Sequence, residues 1–103
     1  MSYGTVMVAK VKAGGVEKVR AAGQRWLAER APVVRGFEDE WVLVGDDGTV
    51  VIAVRFASKE DYAALADDPA QDAFWREHMV PILEDVRWVD GTWEPLIEAA
   101  KSR

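Results

Sequence analysis

Apolar residues in Thr5–Lys12 recur in loose alternation within a valine-rich run, the period of a half-buried strand, and Gly14-Gly15 end it. From Val16 the period changes. Val16, Val19, Gly23, Trp26, Leu27 and Arg30 recur at three- and four-residue spacing, with Glu17, Lys18, Arg20 and Arg25 elsewhere around the wheel. This predicts an amphipathic helix, closed before Pro32 because the residue ahead of a proline is pushed out of the α region. Gly36 then opens a second strand over Phe37–Gly45.

Asp47-Gly48 lies between two β-rich runs, a strong short-range hairpin signal. A two-residue turn there pairs Asp46 with Thr49, Val44 with Val51, Trp41 with Val54 and Glu40 with Arg55. That register puts Trp41, Leu43, Val50, Ile52, Val54 and Phe56 on one face, bulky enough to sit against helices. Val42, Val44, Val51 and Ala53 take the other face, with Glu40 and Arg55 at its far end. A one-residue slip would exchange the two sets. Ser58 suits a helix N-cap, with Asp61 standing in for the usual Glu of a capping box, ahead of a helix that buries Tyr62, Leu65 and Ala66. Asp68 and Pro69 fit the cap and first turn of another helix, which runs to Val80 and ends at Pro81. Val86–Val89 reads as the fourth strand, and Glu94-Pro95 as the start of a short terminal helix through Ala100.

The order β-α-β-β-α-β predicts an α+β, ferredoxin-like domain spanning residues 1–103, with an antiparallel four-stranded sheet and both helices on one face. The uncovered face then carries several valines, where such a sheet normally turns polar residues to water. A patch of that kind marks an interface. Two sheets facing each other bury it, so the expected partner is a second copy of the chain.

Composition narrows the function classes. Half of the 103 residues are hydrophobic and 30% are charged, an ordinary globular balance. The net charge is −5 and the basic residues are scattered, which argues against nucleic acid as a partner. No apolar run approaches the ~20 residues that cross a bilayer, and Met1–Gly4 lacks a signal pattern, so no membrane association and a cytoplasmic location are expected. The chain has no cysteine and one histidine, so a protein-built zinc or iron site is not expected. GxGxxG, P-loop, GxSxG and HExxH motifs are all absent.

The stretch Val54-Arg-Phe-Ala-Ser-Lys-Glu-Asp-Tyr62 resembles the antibiotic-biosynthesis-monooxygenase-like group of dimeric α/β-barrel proteins. Phe56 matches its aromatic end to strand three, followed by the Ser-Lys-Glu helix start. Arg35-Gly36-Phe37 is similar to the group's Pro-Gly-Phe lead into strand two, and Asp68-Pro69 through Phe74, Trp75 and His78 to its second helix segment. The resemblance implies a homodimer whose sheets form a barrel, with a pocket between sheet and helices in each subunit. It also implies activities ranging from cofactor-independent oxidation of aromatic polyketides or quinols to heme degradation. The heme-degrading branch uses an Asn, a Trp and a His. His78 is similar to that His in spacing, but this chain contains no Asn, and the Trp position falls near Asp68.

The candidate chemistry centres on His78, whose unperturbed pKa lies near neutrality. One helical turn after Phe74 and beside Trp75, it could share one pocket with both and take a proton from a phenolic substrate. A carbanion formed that way can pass an electron to oxygen without metal or cofactor. The alternative is a half-exposed helix histidine with no task. Trp75 and Trp41 are candidate walls for a planar ligand, or core residues. Arg55 is an anion anchor or one half of a cross-strand pair with Glu40. Tyr62 offers a hydroxyl to substrate, or packs its helix. Three readings follow: a cofactor-free oxygenase with His78 as base; a dimeric binding protein for a small hydrophobic molecule; and a heme binder with His78 as axial ligand.

Overall fold

In the computed structural model, which describes residues 1–96, the first alternating run forms β1 over Tyr3–Val11. The helix α1 covers Val16–Glu29, and Pro32 follows it in a short 3-10 turn, Ala31–Val33. Strands β2 (Phe37–Val44) and β3 (Thr49–Phe56) make the hairpin. Helices α2 (Lys59–Ala66) and α3 (Pro69–His78) follow, and a second 3-10 turn carries Pro81 into β4, Leu83–Thr92. The sheet order is β2-β3-β1-β4, antiparallel at every junction, so the ferredoxin-like βαββαβ arrangement expected from the pattern is present. Of the terminal helix expected over 94–100, positions 97–100 lie outside the described residues, and Glu94–Leu96 are not helical.

The caps show why the second helix comes in two pieces. Ser58 Oγ accepts from the Asp61 amide at 3.1 Å and starts α2. Asp68 Oδ1 accepts from the Ala70 amide at 2.9 Å, with Pro69 in the first turn of α3 where its missing N–H costs nothing. Asp61 does not complete a capping box. Its carboxylate accepts from Arg35 Nε at 2.8 Å instead. That carboxylate also lies where a side chain on Gly36 would stand, and Gly36 has φ +77°, so glycine is required there on both counts.

The hairpin corrects the predicted register. Its loop has three residues, Asp46–Gly48, closed by the Gly45 amide on Thr49 O at 2.7 Å and the Gly48 amide on Gly45 O at 3.1 Å. Gly48 takes φ +86°, the left-handed residue of a three-residue loop. The extra loop residue shifts β2 by one, so Glu40 pairs with Val54, Val42 with Ile52 and Val44 with Val50. The β3 side chains fall as predicted, and the β2 set is exchanged. Glu40, Val42 and Val44 turn toward the helices, while Trp41 and Leu43 lie on the open face, 71% and 65% exposed. Arg55 therefore meets Asp39 rather than Glu40, through two bonds of 2.6 and 2.9 Å.

Beneath the helices, Met7, Ala9 and Val50 of the sheet pack with Val19 and Ala22 of α1 and with Met79, Ile82 and Leu83. Phe56 is fully buried at the far end of β3. Alternation on the other strands leaves Val6 and Val8 of β1, Val51 and Ala53 of β3 and Val89 of β4 on the open face beside Trp41 and Leu43. The uncovered apolar face expected from the sequence is there, with a tryptophan and a leucine in place of two valines.

Candidate functional site

One row of the covered face crosses all four strands. Glu40 of β2 pairs with Val54 of β3, Val54 with Thr5 of β1, and Thr5 with Asp90 of β4. Above this row the helices do not close down completely, leaving a cavity of about 170 Å³. Its apolar wall includes Trp26 from α1, Phe74 and Trp75 from α3, and Ile52, Phe56 and Trp88 from the sheet. The rings are held by each other. Trp75 and Trp88 lie 5.1 Å apart, Trp26 meets Phe37 edge-on at 5.1 Å, and Tyr62 leans on Phe56 at 5.6 Å.

Two polar contacts tie α1 to α3, the first in the cavity wall and the second outside its lining. Trp26 Nε1 donates to Gln71 Oε1 at 2.8 Å, and the Arg30 guanidinium donates to Asp68 at 2.6 Å. At the other side Tyr62 donates its hydroxyl to Asp90 Oδ1 at 2.9 Å, and Thr5 donates its own to the Val89 carbonyl at 3.2 Å. Burial, with the Asp90 contact second, pushes the Tyr62 phenol up to about 12, so it stays a neutral hydroxyl.

Glu40 differs from the rest. It is half-buried against the apolar wall, and among the described residues nothing donates to it or pairs with it. Burial alone pushes its carboxyl up to about 7. Asp39, one residue earlier and on the opposite face, is held below the usual carboxylate range by its bonds to Arg55. A carboxyl that is part ionised near neutrality, at the edge of a cavity lined with rings, can accept a proton or a hydrogen bond from a bound molecule.

Of the residues singled out in the sequence, Phe74, Trp75 and Tyr62 line the cavity. His78 does not join them. It lies in a separate groove between α1 and the end of α3 with Lys18, Arg25 and Glu77, its ring 4.5 Å from Phe74 and its Nε2 3.7 Å from the Glu77 carboxylate. A heme in the cavity would not find the chain's single imidazole there. Trp41 and Arg55 are on the open face, away from the cavity. Sequence reasoning missed Glu40, Thr5, Trp26 and Gln71. For Glu40 the deciding signal lay in the loop alone, because only a three-residue hairpin loop brings it onto the covered face beside Val54.

Among the described residues no group of three His, Cys, Asp or Glu side chains could hold a metal ion, and no helix is long and apolar enough to cross a membrane. A family model described as Stress responsive A/B Barrel Domain matches residues 6–92. No curated protein matches the chain. Among solved structures, a candidate antibiotic biosynthesis monooxygenase from Nitrosomonas europaea is similar at 22% identity and a TM-score of 0.70, over 91% of this chain and 92% of that one. SnoaB, a cofactor-independent oxygenase from Streptomyces nogalater, is similar at 14% identity and a TM-score of 0.75, over 91% and 94% of the two chains. A dimeric ferredoxin-like protein of unknown function from Jannaschia sp. CCS1 is similar at 15% identity and a TM-score of 0.69, over 92% and 100%. The antibiotic-biosynthesis-monooxygenase-like resemblance read from the sequence therefore holds, at the level of the fold.

Proposed function

The chain belongs to the stress responsive A/B barrel domain family, and from that fold we propose that it is a single-domain homodimer in which each subunit oxidises a small aromatic, quinol-type compound with molecular oxygen and no cofactor. The observation that carries this reading is Glu40, an unpartnered carboxyl turned toward a ring-lined cavity. The open face, with Trp41 and Leu43 exposed, supports pairing of two sheets, and the Jannaschia structure of the same fold is described as dimeric. A cytoplasmic setting fits a chain without cysteine.

In the proposed reaction the Glu40 carboxylate takes the proton of a ring hydroxyl. Its value near 7 matches an operating pH near neutrality, where a general base works best. The electron-rich ring passes one electron to oxygen, and the superoxide and ring radical combine to form a C–O bond at the carbon beside the hydroxyl. That hydroperoxide then loses water. Its O–O bond breaks as the C–H proton leaves and the carbon becomes a carbonyl. One oxygen atom ends in the hydroxyquinone and one in water, with the four electrons supplied by the substrate. The apolar wall keeps solvent from the radical pair. His78, in its separate groove, has no part in this scheme.

Oxygen uptake with a panel of hydroquinones and anthrone-like compounds tests this. Glu40→Gln is expected to lower the rate about a hundredfold or more. His78→Ala is expected to leave it near wild type. Absence of uptake with every compound, or equal rates in Glu40→Gln and wild type, overturns the proposal. The position of His78 also favours a second reading, a dimer that binds a small hydrophobic molecule without transforming it. It predicts a co-purifying ligand by native mass spectrometry and no oxygen consumption.

A further inference from the structure

The size of the cavity and the direction of its hydroxyl protons narrow the ligand further. Resting on the assignment of this cavity as the ligand site, we infer that it accepts a single-ring aromatic with a hydrogen-bond donor at each of two opposite ring positions, and discriminates against fused two- and three-ring compounds.

The cavity measures about 170 Å³. An apolar cavity of about 150 Å³ is known to take one benzene ring. A second fused ring therefore has either to project through the mouth into water or to part the walls, and the walls are fastened. Trp26 Nε1 on Gln71 at 2.8 Å joins α1 to α3 in the cavity wall, and Arg30 on Asp68 at 2.6 Å joins the same two helices beyond it. Arg30 Nε is itself buried without a partner, so its guanidinium is already enclosed on the protein side of the contact. Below, Val54 and Ile52 are fixed by hydrogen-bonded neighbours on both sides of β3. Widening would break a half-buried hydrogen bond and part a half-buried ion pair.

The polar ends argue for two donors. Glu40 and Thr5 both pair with Val54 from opposite strands, so their backbones stand two strand spacings apart, roughly 10 Å. A ring lying over Val54 between the two side chains, with polar atoms at opposite positions, can meet one at each end. At the Thr5 end the protons are already committed. Thr5 donates to the Val89 carbonyl and lies within hydrogen-bond reach of the Tyr62 oxygen, and Tyr62 donates to Asp90, so neither hydroxyl has a free proton to offer. At the other end an ionised Glu40 also only accepts. A complementary ligand must donate at both ends, as 1,4-dihydroxybenzene and 4-aminophenol do.

Binding is measured apart from turnover by titrating the protein under argon and following quenching of its tryptophan fluorescence, since Trp26, Trp75 and Trp88 line the site. The expected result is that 1,4-dihydroxybenzene binds at least about tenfold more tightly than 1,4-dihydroxynaphthalene, which tests size, and than 1,4-dimethoxybenzene, which tests donors. Leu65→Ala, which enlarges the cavity wall, is expected to reverse the size preference, and Phe74→Leu serves the same purpose if the first variant does not fold. Equal or tighter binding of the two-ring compound by wild type overturns the inference, as does tighter binding of the dimethoxy compound or no binding of any. These outcomes separate from those for the reaction. Oxygen uptake with fused-ring compounds and not with single rings would sink the size limit while leaving the oxygenase standing. Selective single-ring binding without oxygen uptake would do the reverse.

Discussion

The two faces of the sheet are both apolar, yet they treat their charges in opposite ways. On the open face Asp39 and Arg55 meet through two hydrogen bonds, and the apolar surface beside them, Trp41 and Leu43 included, stands in water. On the covered face one charged side chain, Glu40, is drawn in against rings and left with no partner among the described residues. Burying a carboxyl without a partner works against folding, whereas pairing one at a rim is close to neutral. The difference suggests two kinds of recognition. A greasy surface edged by satisfied charges suits another protein surface, and an unsatisfied group inside a small cavity suits a small molecule that satisfies it.

The comparison can be broken most forcefully on the open face. Leu43→Asp places a charge on the patch, and in a two-fold dimer each substitution acts twice. Sedimentation equilibrium should find wild type dimeric and the variant monomeric at micromolar concentration, with the dissociation constant raised about a thousandfold or more. A wild type that sediments as one subunit would show that this face is simply wet, and the contrast between the faces would lose half its meaning. On the covered face the matching change is Phe56→Ala, which empties a fully buried site and should cost about 3–5 kcal/mol in urea unfolding. Leu43→Ala, measured in a monomeric background, should cost within about 0.5 kcal/mol, because its side chain is already exposed there.

These paired variants probe the feature that the sequence disclosed unevenly. In β3 side-chain bulk marked the covered face, because Ile52 and Phe56 alternate with the smaller Ala53 and the charged Arg55. In β2 the pattern was silent. Trp41-Val42-Leu43-Val44 is apolar at every step, so a slip by one residue costs no hydrophobicity, and only the loop could decide the register. Asp46-Asp47-Gly48 admits both a two-residue and a three-residue turn, and the left-handed Gly48 with the Gly45–Thr49 pair settles on the longer. Glu40 changed faces with that choice, and so the cavity's carboxyl was hidden while the fold was plain. His78 was conspicuous for the opposite reason. Its residue type suggests chemistry, but helical spacing gives a direction around the axis without saying whether that side meets the cavity or the groove behind it. Caps were legible in Ser58, Asp68 and Pro69 because their job is done by local backbone geometry.

A smaller effect sharpens the contrast through pH. Glu40 has an ordinary value of 4.5 and one of about 7 in the folded chain. Below the ordinary value both states hold the proton and Glu40 has no effect on stability. As pH rises toward 7 the unfolded chain ionises first, so stability falls, and above 7 the full cost of about 3 kcal/mol is present. Glu40→Gln removes that cost. It should gain about 3 kcal/mol over wild type near pH 8 and nothing near pH 4 in urea unfolding. A gain of equal size at both values would mean that the glutamine simply packs better, and that burial of charge is not what sets Glu40 apart from Asp39.

A change in the cavity wall tests what keeps the covered face small. Trp26→Phe retains an aromatic ring against Phe37 but removes the indole donor to Gln71, leaving a half-buried amide oxygen without its hydrogen bond. One such bond is worth about 1 kcal/mol, and the smaller ring in a buried site adds about as much again, so unfolding should move by about 2 kcal/mol. Binding should move in a way that stability alone does not foretell. If the clip between α1 and α3 limits the cavity, its removal lets the helices part, and the gap in affinity between one-ring and two-ring ligands should narrow severalfold while Arg30 still holds Asp68. If that gap is unchanged in a folded variant, the limit lies in the floor of the sheet around Val54 and Ile52, and the helices above merely rest on a shape that the strands already impose.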